Sequence, residues 1–284
     1  MSSADNKKEG IVNTKVLVEA IGENKDEEIT THIVTPVPTP TPTPEITPTI
    51  KSIAAVSDKT EISSDDTSSS SPAISGGGRV IVIDPGHADH ADLSTEPIAP
   101  NSSVMKIKDG GGAEGVSTGT PEYEVNMRVA VSLKNILQQN GYTVIMTKTS
   151  NSESPGNVDR AKIGNNANAS LVIRIHADTS DDSSVKGASM LVPSAINDNT
   201  QKIYSESKRC GQIVLNTLAN EVGMKNRGVV ETDQMTGFNW STVPVILVEM
   251  GFLSNPDEDR LLSSSDYENK LAKGLADGIM EAEK

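Results

Sequence analysis

The stretch Val80-Ile81-Val82-Ile83-Asp84-Pro85-Gly86-His87 decides how the chain is organised. Its first four residues are all apolar, which is typical of a strand covered on both faces of a sheet. The strand ends where Pro85-Gly86 turns the chain, and His87 is the first functional side chain after that turn. In open α/β sheets, ligands bind in the crevice beyond the carboxyl ends of the strands. A histidine there is placed to serve a metal or a substrate, although a lone histidine is more often structural.

The chain divides by composition into a tail, residues 1–78, and a domain, residues 79–284. The tail contains a Thr/Pro alternation over residues 35–44, a serine-rich segment over 63–71 and three consecutive glycines at 76–78. Such segments favour extended or flexible chain and cannot bury a core. The sequence therefore predicts a disordered tail and linker, followed by one folded domain.

Strand and helix patterns alternate through residues 79–284, which predicts a single α/β domain with a mostly parallel sheet flanked by helices. A polar loop is expected over residues 89–119, and a fourth, edge-like strand over 187–192. Thr120 is expected to cap the helix that follows it, and Glu258 to complete a capping box with Asn255. Strands are expected over residues 80–83, 142–146, 171–175 and 243–250, with a short extended piece from Val229. Helices are expected over residues 120–140, 202–222 and 271–279, and a short one over 157–168.

Composition restricts the function. A formal net charge of −14 argues against nucleic acid as a partner, and no apolar run is long enough for a transmembrane helix. The amino-terminal residues are polar, so no signal peptide or anchor is expected in the sequence as it stands. Cys210 is the single cysteine, which excludes a cysteine-based zinc cluster and predicts a buried thiol. A metal site would use carboxylates and the four histidines, His32, His87, His90 and His176.

Three apolar strands end in polar side chains suited to metal chemistry. His87 and His176 each follow such a strand, and Glu249 closes the strand Val245-Ile246-Leu247-Val248. If these strands are neighbours in a parallel sheet, the three side chains emerge at one edge. A catalytic zinc takes about three protein ligands, and a further carboxylate then transfers the proton of the attacking water. Glu122, in a first helical turn, is the fourth candidate, and it shares with Glu249 the roles of third ligand and general base.

Each of these candidates has a structural alternative. Glu122 is equally well explained by the helix dipole, and Asn126, one turn later, is either a partner of that carboxylate or a surface residue. His90 is a second candidate ligand, but His87 follows the turn directly and is preferred. Asp84 either orients the histidine or braces the turn.

Four motifs, taken together, resemble the zinc-dependent N-acetylmuramoyl-L-alanine amidases of bacterial cell-wall turnover (the type 3 catalytic domain). They occur in the family's order between Arg79 and about Ile279, and they read Val-Ile-Asp-Pro-Gly-His at 82–87, Pro-Glu-Tyr-Glu-Val-Asn at 121–126, Ile-His-Ala at 175–177 and Leu-Val-Glu-Met-Gly-Phe-Leu-Ser-Asn at 247–255. The resemblance implies an approximately six-stranded sheet and an enzyme, an autolysin, acting on peptidoglycan.

The resemblance also implies roles for individual residues. His87, Glu122 and His176 would hold one zinc ion, and Glu249 would be the catalytic acid/base. The bond cleaved would join the lactyl group of N-acetylmuramic acid to the L-alanine of the stem peptide. A monomer located outside the cytoplasm, at the cell wall or cell surface, is the expected state. Two other functions stay open: a catalytically inactive cell-wall-binding module, and a zinc peptidase of similar fold that acts on free peptides.

The segment before the last strand is the expected substrate-lining loop. Trp240, with Asn239 beside it, is either a platform for a sugar or peptide or a packing residue. Arg227 either meets a stem-peptide carboxylate or forms a surface salt bridge. Some family members carry an inhibitory helix after the strand that ends here near Val192. Only residues 194–200 separate that strand from the next expected helix, which predicts an open cleft that needs no activator.

Overall fold

A computed structural model describes residues 79–284. The expectations for the tail, residues 1–78, including His32, lie outside the described residues. The described elements, in chain order, are β1 (Val80–Pro85), β2 (Asp92–Pro97), β3 (Met105–Asp109), α1 (Glu122–Gln139), β4 (Thr143–Met146), α2 (Asn157–Asn166), β5 (Leu171–Asp178), β6 (Ala188–Pro193), α3 (Asp198–Val222), β7 (Asn226–Thr232), α4 (Thr236–Asn239), β8 (Val245–Phe252), α5 (Pro256–Leu262) and α6 (Ser265–Ala282).

The main sheet has six strands in the order β4-β1-β5-β8-β6-β7. The pairs β1–β4, β1–β5, β5–β8 and β6–β7 are parallel, and only β6–β8 is antiparallel. The expected α/β domain with a mostly parallel, six-stranded sheet is confirmed. β5 lies between β1 and β8, so the three strands that carry His87, His176 and Glu249 are neighbours, as the site prediction requires.

The sheet is covered on both faces, because alternate residues of each strand point to opposite sides. Ile81, Ile83 and Ile173 pack into the larger core with α1, α3 and α6. Val82 and Val172 pack into a smaller core on the other face, which also contains Phe238 of α4. This two-sided burial explains why the strands read as unbroken apolar runs rather than as alternating ones.

The expected loop over residues 89–119 is wrong over residues 92–109, which form the antiparallel hairpin β2–β3. Its second strand, Met105-Lys106-Ile107-Lys108-Asp109, alternates between residues that face outward and residues that face the domain. This period of two is the sequence signal of a half-covered strand. The alternation in β3 covers only five residues, and the surrounding sequence is rich in Gly, Ser and Pro. The composition therefore predicted a loop where the structure has a strand.

Two helix starts differ from expectation. α1 begins at Glu122 with Pro121 at the N-cap position, and no side chain caps it, so Thr120 is not the cap. α3 begins four residues earlier than Lys202, at Asp198, because Asn197 and Thr200 form a reciprocal capping box. The first turn of α3 consists of polar residues, and the apolar stripe begins only at Ile203. Apolar periodicity therefore placed the start of the helix too late.

Two further expectations at the β6 side of the sheet are wrong. β6 is buried along its whole length between β8 and β7, and β7 is the edge strand. Asn255 caps α5 as expected, but Glu258 does not complete a capping box. Its carboxylate instead accepts hydrogen bonds from the backbone N–H groups of Gly187 (2.8 Å) and Phe252 (2.8 Å). It therefore fastens the start of β6 to the end of β8.

Two composition-based expectations concern the described part of the chain. None of the helices within residues 79–284 is both long enough and apolar enough to cross a bilayer. Cys210 is completely buried in α3, as expected from its position on the apolar stripe. Burial and the carboxylate of Glu206 raise the pKa of this thiol to about 12, so it is an inert core residue.

Candidate metal centre

The candidate centre lies at the carboxyl ends of β1 and β5. Gly86 makes this close approach possible: a Cβ atom there would lie 2.1 Å from the ring of His176. The Gly86 N–H donates to the carbonyl of Ile175 (3.0 Å), and His87 follows with φ of 59° in the left-handed region. The turn after β1 therefore brings its histidine against the histidine of the neighbouring strand.

His87, Glu122 and His176 form one cluster, in which their candidate ligand atoms lie within 4.8 Å of one another. Glu122 Oε2 is 3.4 Å from His87 Nε2, and Glu122 Oε1 is 3.1 Å from His176 Nδ1. The two imidazole rings meet edge to face, with centroids 4.9 Å apart. The structure thus brings together the three residues that the sequence suggested as ligands.

Glu122 is held as an anion. Its carboxylate accepts hydrogen bonds from the N–H groups of Ala113 (2.9 Å) and Ala177 (3.2 Å) and from the side chain of Asn126 (3.2 Å). Burial alone would raise the pKa of Glu122, but the two histidines and these donors outweigh it and lower the pKa to about 2. Asn126 also donates to the Gly86 carbonyl (3.3 Å), so it ties Glu122 to the turn of β1.

The donor set fits a zinc ion. Two imidazoles and one carboxylate are the protein ligands of a common type of catalytic zinc site. Burial lowers the pKa of His176, which favours the neutral form that a metal needs. The Nε2 atom of His176 is buried and has no hydrogen-bond partner among the described residues. A buried polar atom without a partner is costly, and a metal ion would satisfy it.

Glu249 sits beside the cluster, opposite His176 in the β5–β8 register. Its Oε2 atom is buried and lacks a hydrogen-bond partner among residues 79–284. Burial, and then the nearby carboxylates of Asp178 and Glu122, raise the pKa of Glu249 well above its ordinary value. A carboxyl group with a raised pKa is suited to accept and return a proton near neutral pH.

Asp109, at the end of β3, was missed by sequence reasoning. Its Oδ1 atom is 2.7 Å from His87 Nδ1, and the Asp109 side chain is buried. The available signal was a carboxylate at the end of an alternating stretch and directly before three glycines. Lys148 was also missed: its buried ammonium group donates to the His87 carbonyl, and burial lowers its pKa to about 8.

Asp84 does not reach the cluster but lies behind it, between Arg160 and Arg174. Arg160 also donates to the carbonyl of Pro85 (2.9 Å), so this ion-pair network holds the turn that precedes His87. The contacts favour the bracing role considered for Asp84. His90 is exposed and paired with Asp89 (2.7 Å), away from the three candidate ligands.

The three expected substrate-binding residues make packing contacts. Trp240 Nε1 donates to the carbonyl of Pro97 in the β2–β3 hairpin (2.9 Å). The buried side chain of Asn239 donates to the Asp233 carbonyl (2.8 Å), inside its own loop. Arg227 stacks its guanidinium 5.0 Å over the Phe252 ring. A role for these residues in substrate binding stays a prediction.

Metal-dependent hydrolases commonly hold their metal with two histidines and one carboxylate. A further carboxyl group beside the metal transfers the proton, and Glu249 occupies this position here. The carboxyl edge of a parallel sheet is also where ligands bind in folds of this kind. The fold and the site together therefore define a hydrolase whose domain has a mostly parallel sheet flanked by helices.

The family follows from comparison with known proteins. Residues 81–281 match the family model of N-acetylmuramoyl-L-alanine amidases, and the chain belongs to this family. It is 28% identical over 203 residues to the N-acetylmuramoyl-L-alanine amidase LytC of Bacillus subtilis (strain 168), spanning 72% of this chain but only 35% of LytC. It is 25% identical over 218 residues to the germination-specific N-acetylmuramoyl-L-alanine amidase of the same organism, with coverage of 72% and 79%.

A solved structure agrees with these relatives. The catalytic domain of the N-acetylmuramoyl-L-alanine amidase CwlV from Bacillus (Paenibacillus) polymyxa var. colistinus superposes with a TM-score of 0.58 at 28% identity. The match covers 72% of this chain and 97% of that domain. The family match over residues 81–281 includes the candidate centre.

Proposed function

We propose that this chain is a zinc-dependent peptidoglycan amidase that cleaves the bond between N-acetylmuramic acid and the L-alanine of the stem peptide. The observation that carries the proposal is the cluster of His87, Glu122 and His176 with Glu249 beside it. Membership of the amidase family indicates which bond is cleaved, and the two histidines and one carboxylate indicate that the metal is zinc. We further propose that the enzyme works as a monomer outside the cytoplasm, where peptidoglycan is found.

His87, Glu122 and His176 would hold the zinc ion, and two of them are fixed from outside the cluster. Asn126 and two backbone N–H groups hold the Glu122 carboxylate, and Asp109 holds the ring of His87. When bound, zinc polarises the scissile carbonyl and makes the attacking water more acidic. These contacts orient Glu122 and His87 before a metal binds.

Glu249 would carry the proton through the reaction. It accepts a proton from water as the water oxygen bonds to the carbonyl carbon. It then delivers that proton to the nitrogen of L-alanine as the carbon–nitrogen bond breaks. The products are the lactyl carboxylate on an intact glycan strand and a stem peptide with a free amino terminus. Burial of Glu249 supports both steps, because it raises the pKa of the carboxyl group toward neutral pH. A group with such a pKa can both accept a proton and return it.

The test uses Glu249→Gln and Glu249→Ala in the full chain with purified cell walls. We expect full zinc occupancy and a fall in hydrolysis of about 100- to 10,000-fold, the usual size of a general acid/base contribution. Glu281→Gln, exposed at the carboxyl end of α6, is the control and should keep wild-type activity. Removal of zinc with a chelator should abolish activity, and added zinc should restore it.

Product analysis separates the proposal from its alternatives. New L-alanine amino termini on an unshortened glycan identify an amidase. Cleavage of free peptides only would identify a peptidase, and zinc-loaded protein that binds walls and releases nothing would identify a binding module. A fully active Glu249→Ala protein would refute the assignment of Glu249.

A further inference from the structure

The β2–β3 hairpin contacts the metal centre through one side chain. Asp109 is the last residue of β3, and its Oδ1 atom lies 2.7 Å from His87 Nδ1. The same oxygen accepts the N–H of Gly111 (3.0 Å), which fixes the carboxylate in place. The other ring nitrogen of His87, Nε2, lies 3.4 Å from Glu122. The two nitrogens of His87 therefore face two different carboxylates.

This arrangement selects a tautomer. A neutral imidazole carries a proton on one ring nitrogen and a lone pair on the other. Asp109 lies at hydrogen-bonding distance from Nδ1 (2.7 Å), whereas the Glu122 oxygen near Nε2 is farther away (3.4 Å). A carboxylate accepts hydrogen bonds, so the closer one, Asp109, favours the proton on Nδ1. The lone pair then lies on Nε2, directed into the cluster. Carboxylates that orient metal-binding histidines in this way also raise the basicity of the ligand nitrogen.

We propose that Asp109 is a positioning residue for the metal and that the hairpin, through Asp109, preorganises the site for zinc. This inference rests on the proposed zinc site at His87, Glu122 and His176. The β2–β3 hairpin carries none of the three ligands itself. It reaches the site through Asp109, which lies 22 residues after His87 along the chain.

The hairpin is docked well enough to hold Asp109 in position. Glu96 of β2 accepts the backbone N–H groups of Asn157 (2.8 Å) and Val158 (3.1 Å) at the start of α2. Trp240 donates to the carbonyl of Pro97, and Lys106 donates to the carbonyl of Gln234 (2.9 Å). Contacts with two separate parts of the domain thus fix the strand pair that ends in Asp109.

The chain contains a natural comparison for this contact. His90 Nδ1 lies 2.7 Å from Asp89 Oδ1, the same distance as in the His87–Asp109 pair. The side chains of His90 and Asp89 are 56% and 43% exposed, whereas that of Asp109 is 6% exposed. Asp89→Asn therefore makes the same substitution in a His–Asp pair of equal length outside the cluster.

The first experiment measures zinc affinity of the full chain by competition with a chromophoric chelator. We expect Asp109→Asn to weaken zinc binding roughly 10- to 100-fold, the usual effect of losing such a partner, and Asp89→Asn to leave it unchanged. Circular dichroism of the metal-free proteins checks that both variants fold. Equal zinc affinity in Asp109→Asn and wild type would overturn the proposal.

The second experiment needs no variant. Nitrogen-15 NMR of the imidazole side chains, in metal-free and zinc-loaded protein, reports which His87 nitrogen is protonated. At a pH where His87 is neutral, we expect its proton on Nδ1 in both forms. A neutral His87 with its proton on Nε2 in the metal-free protein would contradict the proposal even if Asp109→Asn failed to fold. A wild-type protein that bound no zinc would instead count against the proposed function, so the two failures are distinguishable.

Discussion

Asp84 is a completely buried carboxylate whose charge is balanced by Arg160 (2.5 Å) and Arg174 (2.7 Å). Asp84→Asn would leave two buried guanidinium groups without their counter-charge. We expect a loss of about 3–5 kcal/mol in the free energy of unfolding at pH 7, as for other buried pairs that lose one partner. Urea unfolding measures it. Asp257→Asn, which breaks the exposed pair with Arg260, should cost only about 0.2–1 kcal/mol.

The same carboxylate predicts how stability depends on pH. Burial opposes ionisation of Asp84, but the two arginines and Thr147 hold its pKa well below the usual range. A lowered folded pKa contributes stability that is fully present above the unfolded pKa, about 4, and is lost as the pH falls toward the folded value. Below pH 4 the stability difference between wild type and Asp84→Asn should therefore shrink. A constant difference down to pH 2 would contradict this account.

At the scale of residues, the sequence predicted which side chains meet, because each candidate ends a recognisable strand or begins a recognisable helix. His87, His176 and Glu122 meet as expected. Asp109 was not predictable in the same way, since its contact with His87 depends on how a hairpin folds back over the turn. The bracing role of Asp84 was likewise undecidable without knowing that Arg174 is its register partner on β5.

The β2–β3 hairpin is the element whose docking supports the centre. α2 has glycine at its N-cap and no side-chain cap of its own, and Glu96 of the hairpin supplies the missing acceptor. We expect Glu96→Ala to cost about 1 kcal/mol, like the loss of an ordinary helix cap. Hydrogen exchange should rise in residues 92–109 and in the first turn of α2.

Glu153→Ala provides the control for this change. Glu153 is exposed, and its carboxylate accepts a hydrogen bond from the Thr149 hydroxyl within the same turn. Its removal should therefore leave hydrogen exchange in the hairpin unchanged. Equal protection of the hairpin in wild type and Glu96→Ala would show that Trp240 and Lys106 suffice to dock it. The docking of such an element cannot be predicted from sequence, because its contacts are made with segments distant along the chain.

At the scale of the whole molecule, the centre exists because β1, β5 and β8 are adjacent in the sheet. Alternating strands and helices predicted a parallel sheet, and the unbroken apolar runs predicted that both faces are covered. The strand order was not predictable from the same patterns. Hydrophobic periodicity shows which face of a strand is buried, but not which strand lies next to it, so β6 was expected at an edge and lies inside.

The connection from β6 to α3 decides the last prediction. β6 ends at Pro193 and α3 begins at Asp198, so residues 194–197 alone form the link, and they leave no room for an inserted helix at this point. An enzyme without such an insert should have an accessible centre in its resting state. We expect the purified, zinc-loaded chain to release L-alanine amino termini from purified walls without any added protein.

The measurement is the initial rate of amino-terminus release, with Glu249→Gln as the inactive control. Addition of an extract of wall-associated proteins to zinc-loaded enzyme should not raise the rate beyond the activity of the extract itself, measured with the same Glu249→Gln control. If the chain binds zinc and stays inactive until a partner is added, the cleft is closed by some other means. In that case the short β6–α3 connection is not sufficient to leave the centre accessible.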